Sequence, residues 1–179
     1  GTGGTGATLG RYVRYRRSAT RILCVDTENS AFFDYYRNHH GLGGAPAGCP
    51  GGSRIEGIGR PRAEASFLPG SFDGMLKVPD ALSLAAMRWV AGRLGRRVGG
   101  STGTNVVGVL WLAARMRAAG ERGSIVSILC DGGERYAHTY YNSGWYAAQG
   151  IDVAAADAVI AAAAATGGLP RLDAVLAAP

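Results

Sequence analysis

Two short runs of consecutive apolar residues stand out from the polar background of the chain. Ile22-Leu23-Cys24-Val25 closes on Asp26, and Ile125-Val126-Ser127-Ile128-Leu129-Cys130 closes on Asp131-Gly132-Gly133. Apolar runs of this length, the second interrupted only by Ser127, predict strands buried on both faces, the second being the clearer. Met75 to Val78 predicts a further strand. Between them the spacing changes to a helical one. Leu9 and Val13, four apart, predict a helix over 5–15, and Ser30 is placed to cap a short helix through Ala31-Phe32-Phe33. Asp80 is expected to cap a helix through about Leu94 with Leu84, Met87 and Val90 on one face, and Gly95 stops it. Further helices are predicted over Val106 to Ala118, over Tyr136 to Tyr141, and in the alanine-rich stretch from Ala154 to Ala165.

Strands alternating with helices predict an α/β fold: three layers, with a mainly parallel sheet flanked by helices. Ligands of such sheets sit at the carboxyl ends of the strands. Three small-residue loops are candidates for that edge: Gly1 to Gly6, Gly100 to Asn105, and Asp131-Gly132-Gly133. The segment from Gly41 to Gly59 is rich in glycine and proline and reads as a loop.

Composition narrows the class. With 179 residues, 47% of them hydrophobic, the chain can bury a core of its own. The formal charge of +6 is carried by arginines, Lys77 being the only lysine. Apart from Arg11 to Arg17 the arginines are dispersed, and no stacking platform accompanies them, so no nucleic-acid partner is expected. No membrane partner is expected either, because the apolar stretches are short and broken by glycine. Cys24, Cys49 and Cys130 lack metal or redox spacing; Cys24 and Cys130 are expected as small core residues, in keeping with a reducing cytoplasm. His39-His40 has no third ligand at useful spacing, and no metal site is expected. His138 and the group Tyr136, Tyr140, Tyr141 and Trp145 read as packing or a subunit contact.

The first loop, Gly1-Thr2-Gly3-Gly4-Thr5-Gly6, carries the most chemistry. Closely spaced glycines let backbone N–H groups converge on an anion, and the threonine hydroxyls add donors. Its spacing fits G-x-G-x-x-G, and Asp26 ends the next strand roughly where a ribose-binding carboxylate stands in dinucleotide enzymes. A dinucleotide-binding oxidoreductase, a phosphate-binding module without catalysis and a plain glycine-rich turn packing a helix against a sheet all fit this loop. A phosphate cradle normally follows a strand, so the chain is expected to be the later part of a larger protein.

Four motifs in order supply a resemblance. Gly1 to Thr5 is similar to the phosphate loop of fold-type II pyridoxal-phosphate enzymes, the cysteine synthase and cystathionine β-synthase superfamily. Glu56-Gly57-Ile58-Gly59 resembles that family's glycine-rich segment beside the cofactor. Gly99-Gly100-Ser101-Thr102-Gly103 resembles the loop whose hydroxyl meets the pyridine nitrogen, and Leu129 to Tyr136 resembles its strand-end signature. Gly59-Arg60-Pro61-Arg62 and Ser101 to Asn105 depart from the cysteine synthase pattern and look closer to the cysteine desulfhydrase branch.

The resemblance implies the C-terminal part of a tryptophan synthase β-like enzyme, with residues 1–150 as the phosphate- and ring-binding portion and 151–179 as an alanine-rich helical tail. It implies pyridoxal 5'-phosphate held by Gly1, Thr2, Gly3, Gly4, Thr5 and Gly57, with Ser101 at the ring nitrogen and Thr102 as its runner-up. The Schiff-base lysine of the family precedes the phosphate loop. Lys77 does not match it, so no catalytic residue is expected in this chain, and the chain alone is expected to be inactive. The implied activity of the intact protein is β-elimination on L-cysteine, giving pyruvate, ammonia and sulfide. The alternative is a cysteine synthase-like β-replacement between O-acetylserine and sulfide. A homodimer is implied as well. Arg60 and Arg62 are candidates for charge at the cleft mouth, or plain solvent-facing residues around a proline turn.

Overall fold

The apolar run at Ile22 becomes strand β1 (Leu23–Thr27), and the one at Met75 becomes β2 (Gly74–Val78). The computed structural model in which they are seen describes residues 1–43 and 52–176. Cys49, and the part of the glycine-rich loop from 44 to 51, lie outside the described residues. The remaining elements are α1 (Gly4–Tyr15), α2 (Ala31–His39), α3 (Asp80–Leu94), α4 (Gly100–Ala118), α5 (Ser143–Ala148), α6 (Val153–Thr166) and β3 (Ala174–Leu176). The fold is α/β, with a small mixed sheet flanked by helices. Strand order is β1-β2-β3, and β3 runs antiparallel to β2 with Met75 opposite Val175.

The chain divides into two compact units: Gly1–Lys77 with Leu172–Pro179, and Val78–Arg171. The first is built on an aromatic core of Phe32, Phe33, Tyr36, Phe67, Phe72 and Met75, onto which Ile22, Cys24 and Val175 pack. Phe32 and Phe67 stack at 4.3 Å, and Phe67 and Phe72 at 5.3 Å. Helix α2 presents Phe32, Phe33 and Tyr36 to this core because they recur at three- and four-residue spacing from Ala31 onward. Ser30 caps it as expected, accepting from the Phe32 N–H at 3.4 Å.

The second unit is a helical layer in which α3 packs on α4 and α6. Leu84 and Met87 are fully buried, as their shared face predicts. Asp80 is not the expected cap: it lies in the first turn of α3, and Pro79 holds the cap position. Helix α4 approaches α3 closely at Gly103. A Cβ there would stand 2.7 Å from the Met87 backbone nitrogen and closer still to the Ser83 carbonyl oxygen. Beside it, the Thr104 hydroxyl donates to Ser83 Oγ at 2.9 Å.

Three expectations are corrected. Helix α4 begins at Gly100, not at Val106, so the second small-residue loop is itself the first turn of the helix. Tyr136–Tyr141 is not a regular helix: a 3-10 turn over Glu134–Tyr136 leads through turns to α5. Residues 125–130 are neither a strand nor buried. Val126 is 91% exposed, Ile128 and Leu129 are about half exposed, and Cys130 is exposed rather than in a core. An apolar run becomes a strand only when another strand supplies its hydrogen bonds, and among the described residues none pairs with this one.

The close approach of α4 to α3 gives a test. Gly103→Ala should lower stability by about 1–3 kcal/mol, because the added methyl must displace backbone. Gly92→Ala in α3, where a Cβ meets nothing within 4 Å, should raise it by about 0.5–1 kcal/mol. Urea unfolding of the two variants would show shifts of opposite sign.

Candidate functional site

The glycine loop at the start of the chain is the N-terminus of α1. Gly3 is the cap residue, with φ of 87° and no side-chain cap bond. The first helical bond runs from the Ala7 N–H to the Gly3 carbonyl at 2.9 Å. A left-handed cap favours glycine on backbone grounds. Here packing adds a second reason, because a Cβ at Gly3 would lie 2.8 Å from Phe67 Cδ2 and 2.9 Å from Phe67 Cα. The loop thus rests on the aromatic core of the first unit. Ser66 ties it from the same side, its hydroxyl donating to the Thr2 carbonyl at 2.9 Å.

Helix α1 has no acidic residue in its first turn. Its free N–H groups and the positive end of its dipole are left for an anion. Thr2 and Thr5 are exposed, so their hydroxyls are open to a ligand at the same helix end. Gly57 is brought to this loop: a Cβ on Gly1 would be 3.5 Å from the Gly57 carbonyl oxygen. The donors here are backbone N–H groups and hydroxyls on a bare glycine surface, a set suited to a phosphate monoester. The residues of the first unit therefore fit a phosphate-bearing cofactor.

Asp26 is not the open strand-end carboxylate expected from the sequence. It is 6% exposed and bonded within its own unit: Ser30 Oγ donates to it at 2.5 Å and the Thr27 N–H at 2.8 Å. The Gly59 backbone N–H also faces it. A carboxylate enclosed in this way does not present itself to a ribose, which removes the residue that supported the dinucleotide reading. Asp26 instead joins the end of β1 to the cap of α2 and to the glycine segment at Gly57–Gly59. Sequence reasoning missed this lock; the signal available was the four-residue spacing of Asp26 and Ser30 across a strand-to-helix turn. Burial lifts the Asp26 pKa above its ordinary 3.8, partly offset by the Ser30, Thr27 and Gly59 hydrogen bonds. Burial, with Asp26 nearby, also pushes the Cys24 thiol up to about 12, leaving it protonated at neutral pH.

In the second unit, Ser101 lies in the first turn of α4 and is half-buried. Its neighbour Thr102 is 1% exposed, and its hydroxyl accepts the Cys130 N–H at 3.0 Å. Thr102 is thereby committed to structure, and Ser101 is the accessible hydroxyl of the pair. The turn is fastened on its other side by Asp131, whose carbonyl accepts the Gly99 N–H at 3.0 Å. The Asp131 carboxylate accepts from Tyr136 Oη at 2.6 Å. Tyr141 Oη accepts from the Val98 N–H at 2.9 Å and donates to the Val98 carbonyl at 2.8 Å. Two of the three predicted loops, Gly99–Gly103 and Asp131–Gly133, are accordingly joined in this unit, while Gly1–Thr5 and Gly57 belong to the first.

The other candidates have structural partners. Arg62 lies 3.8 Å from Glu64 and is largely exposed. Arg60 is tied through its backbone, its carbonyl accepting the Ala31 N–H at 2.8 Å, while its side-chain Nε is buried without a hydrogen-bond partner among the described residues. His39 and His40 meet edge to face at 5.0 Å, and His40 packs on Tyr36 at 4.4 Å. Tyr136 stacks on Tyr140 at 4.6 Å, and Trp145 lies edge-on to Tyr140 and Tyr146. No group of three metal-ligating side chains occurs among the described residues, and no helix among them is long and apolar enough to cross a membrane.

The buried carboxylate makes stability depend on pH in a particular direction. With a folded pKa above the unfolded 3.8, the native state holds the proton more tightly. The resulting stabilisation is complete below the unfolded value and is lost as pH rises through the folded one. Unfolding measured across that window should show wild type losing stability, relative to Asp26→Asn, as pH rises. A constant difference between the two proteins would contradict the assignment.

Residues 1–131 match the family model described as pyridoxal-phosphate dependent enzyme. The L-cysteine desulfhydrase Cds1 of Mycobacterium tuberculosis (strain ATCC 25177 / H37Ra) is 57% identical over 154 residues, spanning 86% of this chain and 41% of that protein. Cysteine synthase 1 of Emericella nidulans is 29% identical over 154 residues, spanning 83% of this chain and 40% of that protein. The O-acetylserine dependent cystathionine beta-synthase of Helicobacter pylori superposes with a TM-score of 0.57 at 28% identity, over 78% of this chain and 40% of that one. The chain spans about two fifths of the length of these relatives.

Proposed function

The chain belongs to the family of pyridoxal-phosphate dependent enzymes, and from that premise we propose that it is the cofactor-anchoring portion of a lyase that releases sulfide from L-cysteine. The observation that carries the proposal is the glycine-lined start of α1, uncapped by any side chain and free of acidic residues. Gly1, Thr2, Gly3, Gly4 and Thr5 would hold the phosphate through backbone N–H groups and the two hydroxyls, with Gly57 against the same loop. Ser101 would supply the hydroxyl to the pyridine nitrogen. A neutral hydroxyl leaves that nitrogen unforced toward protonation, unlike a carboxylate. The bound cofactor supplies an electron sink that lets the bond between the β-carbon and a leaving group break. The net reaction is cysteine plus water to pyruvate, ammonia and sulfide.

The choice of elimination over replacement is supported by the relatives: identity to the cysteine desulfhydrase is 57%, against 29% to the cysteine synthase. Lys77 is in β2, its Nζ 4.9 Å from the centre of the Phe33 ring, and we assign it no part in the chemistry. The lysine that forms the Schiff base is proposed to come from the stretch of the relatives that this chain does not span. A homodimer and a cytoplasmic setting belong to the same proposal.

Two experiments test the reading. Mixed with pyridoxal 5'-phosphate, this chain alone should develop no yellow Schiff-base absorbance, and borohydride should leave Lys77 unmodified in peptide mapping. Labelling of Lys77 at stoichiometry would overturn the assignment of the lysine. A longer polypeptide that carries this segment together with the rest of the family domain should release pyruvate from cysteine alone. Ser101→Ala should slow that release by about 3- to 10-fold, the value of one hydrogen bond between neutral groups. Faster turnover with O-acetylserine and sulfide than with cysteine would identify the protein as a synthase.

A further inference from the structure

Ser101 lies between two residues that one distant dipeptide holds in place. On one side the Gly99 N–H donates to the Asp131 carbonyl at 3.0 Å. On the other the Thr102 hydroxyl accepts the Cys130 N–H at 3.0 Å. Gly99 is the cap residue of α4 and brings no side-chain cap, and the first turn of the helix holds no acidic residue. The start of α4 is therefore fixed from outside, by Cys130-Asp131. That dipeptide is itself anchored. Tyr136 is 3% exposed and donates from Oη to Asp131 Oδ2 at 2.6 Å, and Gly132 forms an antiparallel bridge with Val98. Packing leaves the arrangement no slack, since a Cβ on Gly99 would stand 2.8 Å from Asp131 Cγ and one on Gly133 would stand 2.6 Å from Arg97 Cβ.

A simpler explanation is that these bonds only fasten a helix start to its unit. Thr104 shows what such a bond looks like, its buried hydroxyl donating to Ser83 Oγ at 2.9 Å and so joining α4 to α3. Thr102 differs in two respects. Its partner belongs to a segment, 126–130, that is exposed and forms no part of the core. Its bond and the Gly99 bond also bracket the accessible hydroxyl of the turn. Ser101 Oγ stands one rotamer away from the backbone, so the position of the backbone at 101 decides where the hydroxyl points. A hydrogen bond weakens steeply once its angle falls below about 120°. Holding both flanks of Ser101 is thus a means of keeping that angle.

We propose that Thr102 is a positioning residue for Ser101, with Tyr136, acting through Asp131, as its counterpart on the other flank. The inference rests on the reading of Ser101 as the partner of the pyridine nitrogen. It gives the buried threonine of the pair a part in the chemistry without contact with the cofactor: Thr102 aims the hydroxyl that Ser101 supplies.

Hydrogen exchange in this chain, without cofactor, tests the clamp. The Cys130 amide should exchange about 3- to 10-fold faster in Thr102→Val and at the wild-type rate in Thr102→Ser, which keeps the hydroxyl. Unchanged exchange in Thr102→Val would overturn the clamp. The link to Ser101 is tested in the longer, cofactor-loaded polypeptide. Thr102→Val should lower kcat for pyruvate release by about 3- to 10-fold, as Ser101→Ala does, with KM unchanged. It should move the absorbance band of the bound cofactor in the same direction as Ser101→Ala, and Thr102→Ser should restore both. Tyr136→Phe, which removes one oxygen on the opposite flank, should act in the same sense. Added to Ser101→Ala, Thr102→Val should bring no further change in rate or band. Thr104→Val should lower thermal stability and leave rate and band as in wild type. Effects that multiply in the double variant, or a band unmoved by Thr102→Val, would overturn the positioning role while the reading of Ser101 stands. A wild-type rate and band in Ser101→Ala would overturn both.

Discussion

The structure depends on bare backbone being allowed to touch its neighbours at two helix starts. At Gly3 the cap of α1 lies against Phe67, and at Gly103 the first turns of α4 lie against the Ser83 carbonyl. Neither contact leaves room for a methyl group. Each sets a helix N-terminus on its unit's core, and each carries hydroxyls in or beside its opening turn: Thr2 and Thr5 in one case, Ser101 in the other. Orientation is what a cofactor anchor requires of a protein, because the cofactor brings its own chemistry. Glycine at these positions stabilises packing and exposes donors by the same omission of a side chain.

What could be read from the sequence was whatever local chemistry decides. The β1 and β2 runs, the Ser30 cap, the apolar face of Leu84 and Met87 and the stop at Gly95 all depend on residues within a few positions of one another. The misreadings arose where a distant partner decides. Residues 125–130 are as apolar as β1, yet exposed, because strand formation depends on a neighbour strand and not on the run itself. Strand β3, three residues long and antiparallel to β2, has too little pattern to announce itself. Helix α4 extends back to Gly100 because burial against α3 overrides the poor helix propensity of glycine, serine and threonine.

The candidate site follows the same division. The glycine loop and Ser101 were legible as motifs, whereas the reason Ser101 and not Thr102 is accessible lies 28 residues away, in the Cys130 N–H that Thr102 accepts. Asp26 was legible as a carboxylate at a strand end. Its hold on Ser30 was signalled by their four-residue spacing, whereas its burial, which lifts its pKa, and the Gly59 N–H that partly offsets the lift were not encoded in spacing. The correction matters for function: an enclosed Asp26 argues against a dinucleotide and makes the carboxylate a support for the loop at Gly57–Gly59.

The central claim is that the start of α1 is a phosphate anchor. Titration of the isotopically labelled chain with pyridoxal 5'-phosphate, followed through backbone amide resonances, tests it most directly. The account predicts saturable shifts at Gly3, Gly4, Thr5 and Gly6, lost in Gly3→Ala. No shift at the Gly3–Gly6 amides at saturation would contradict it.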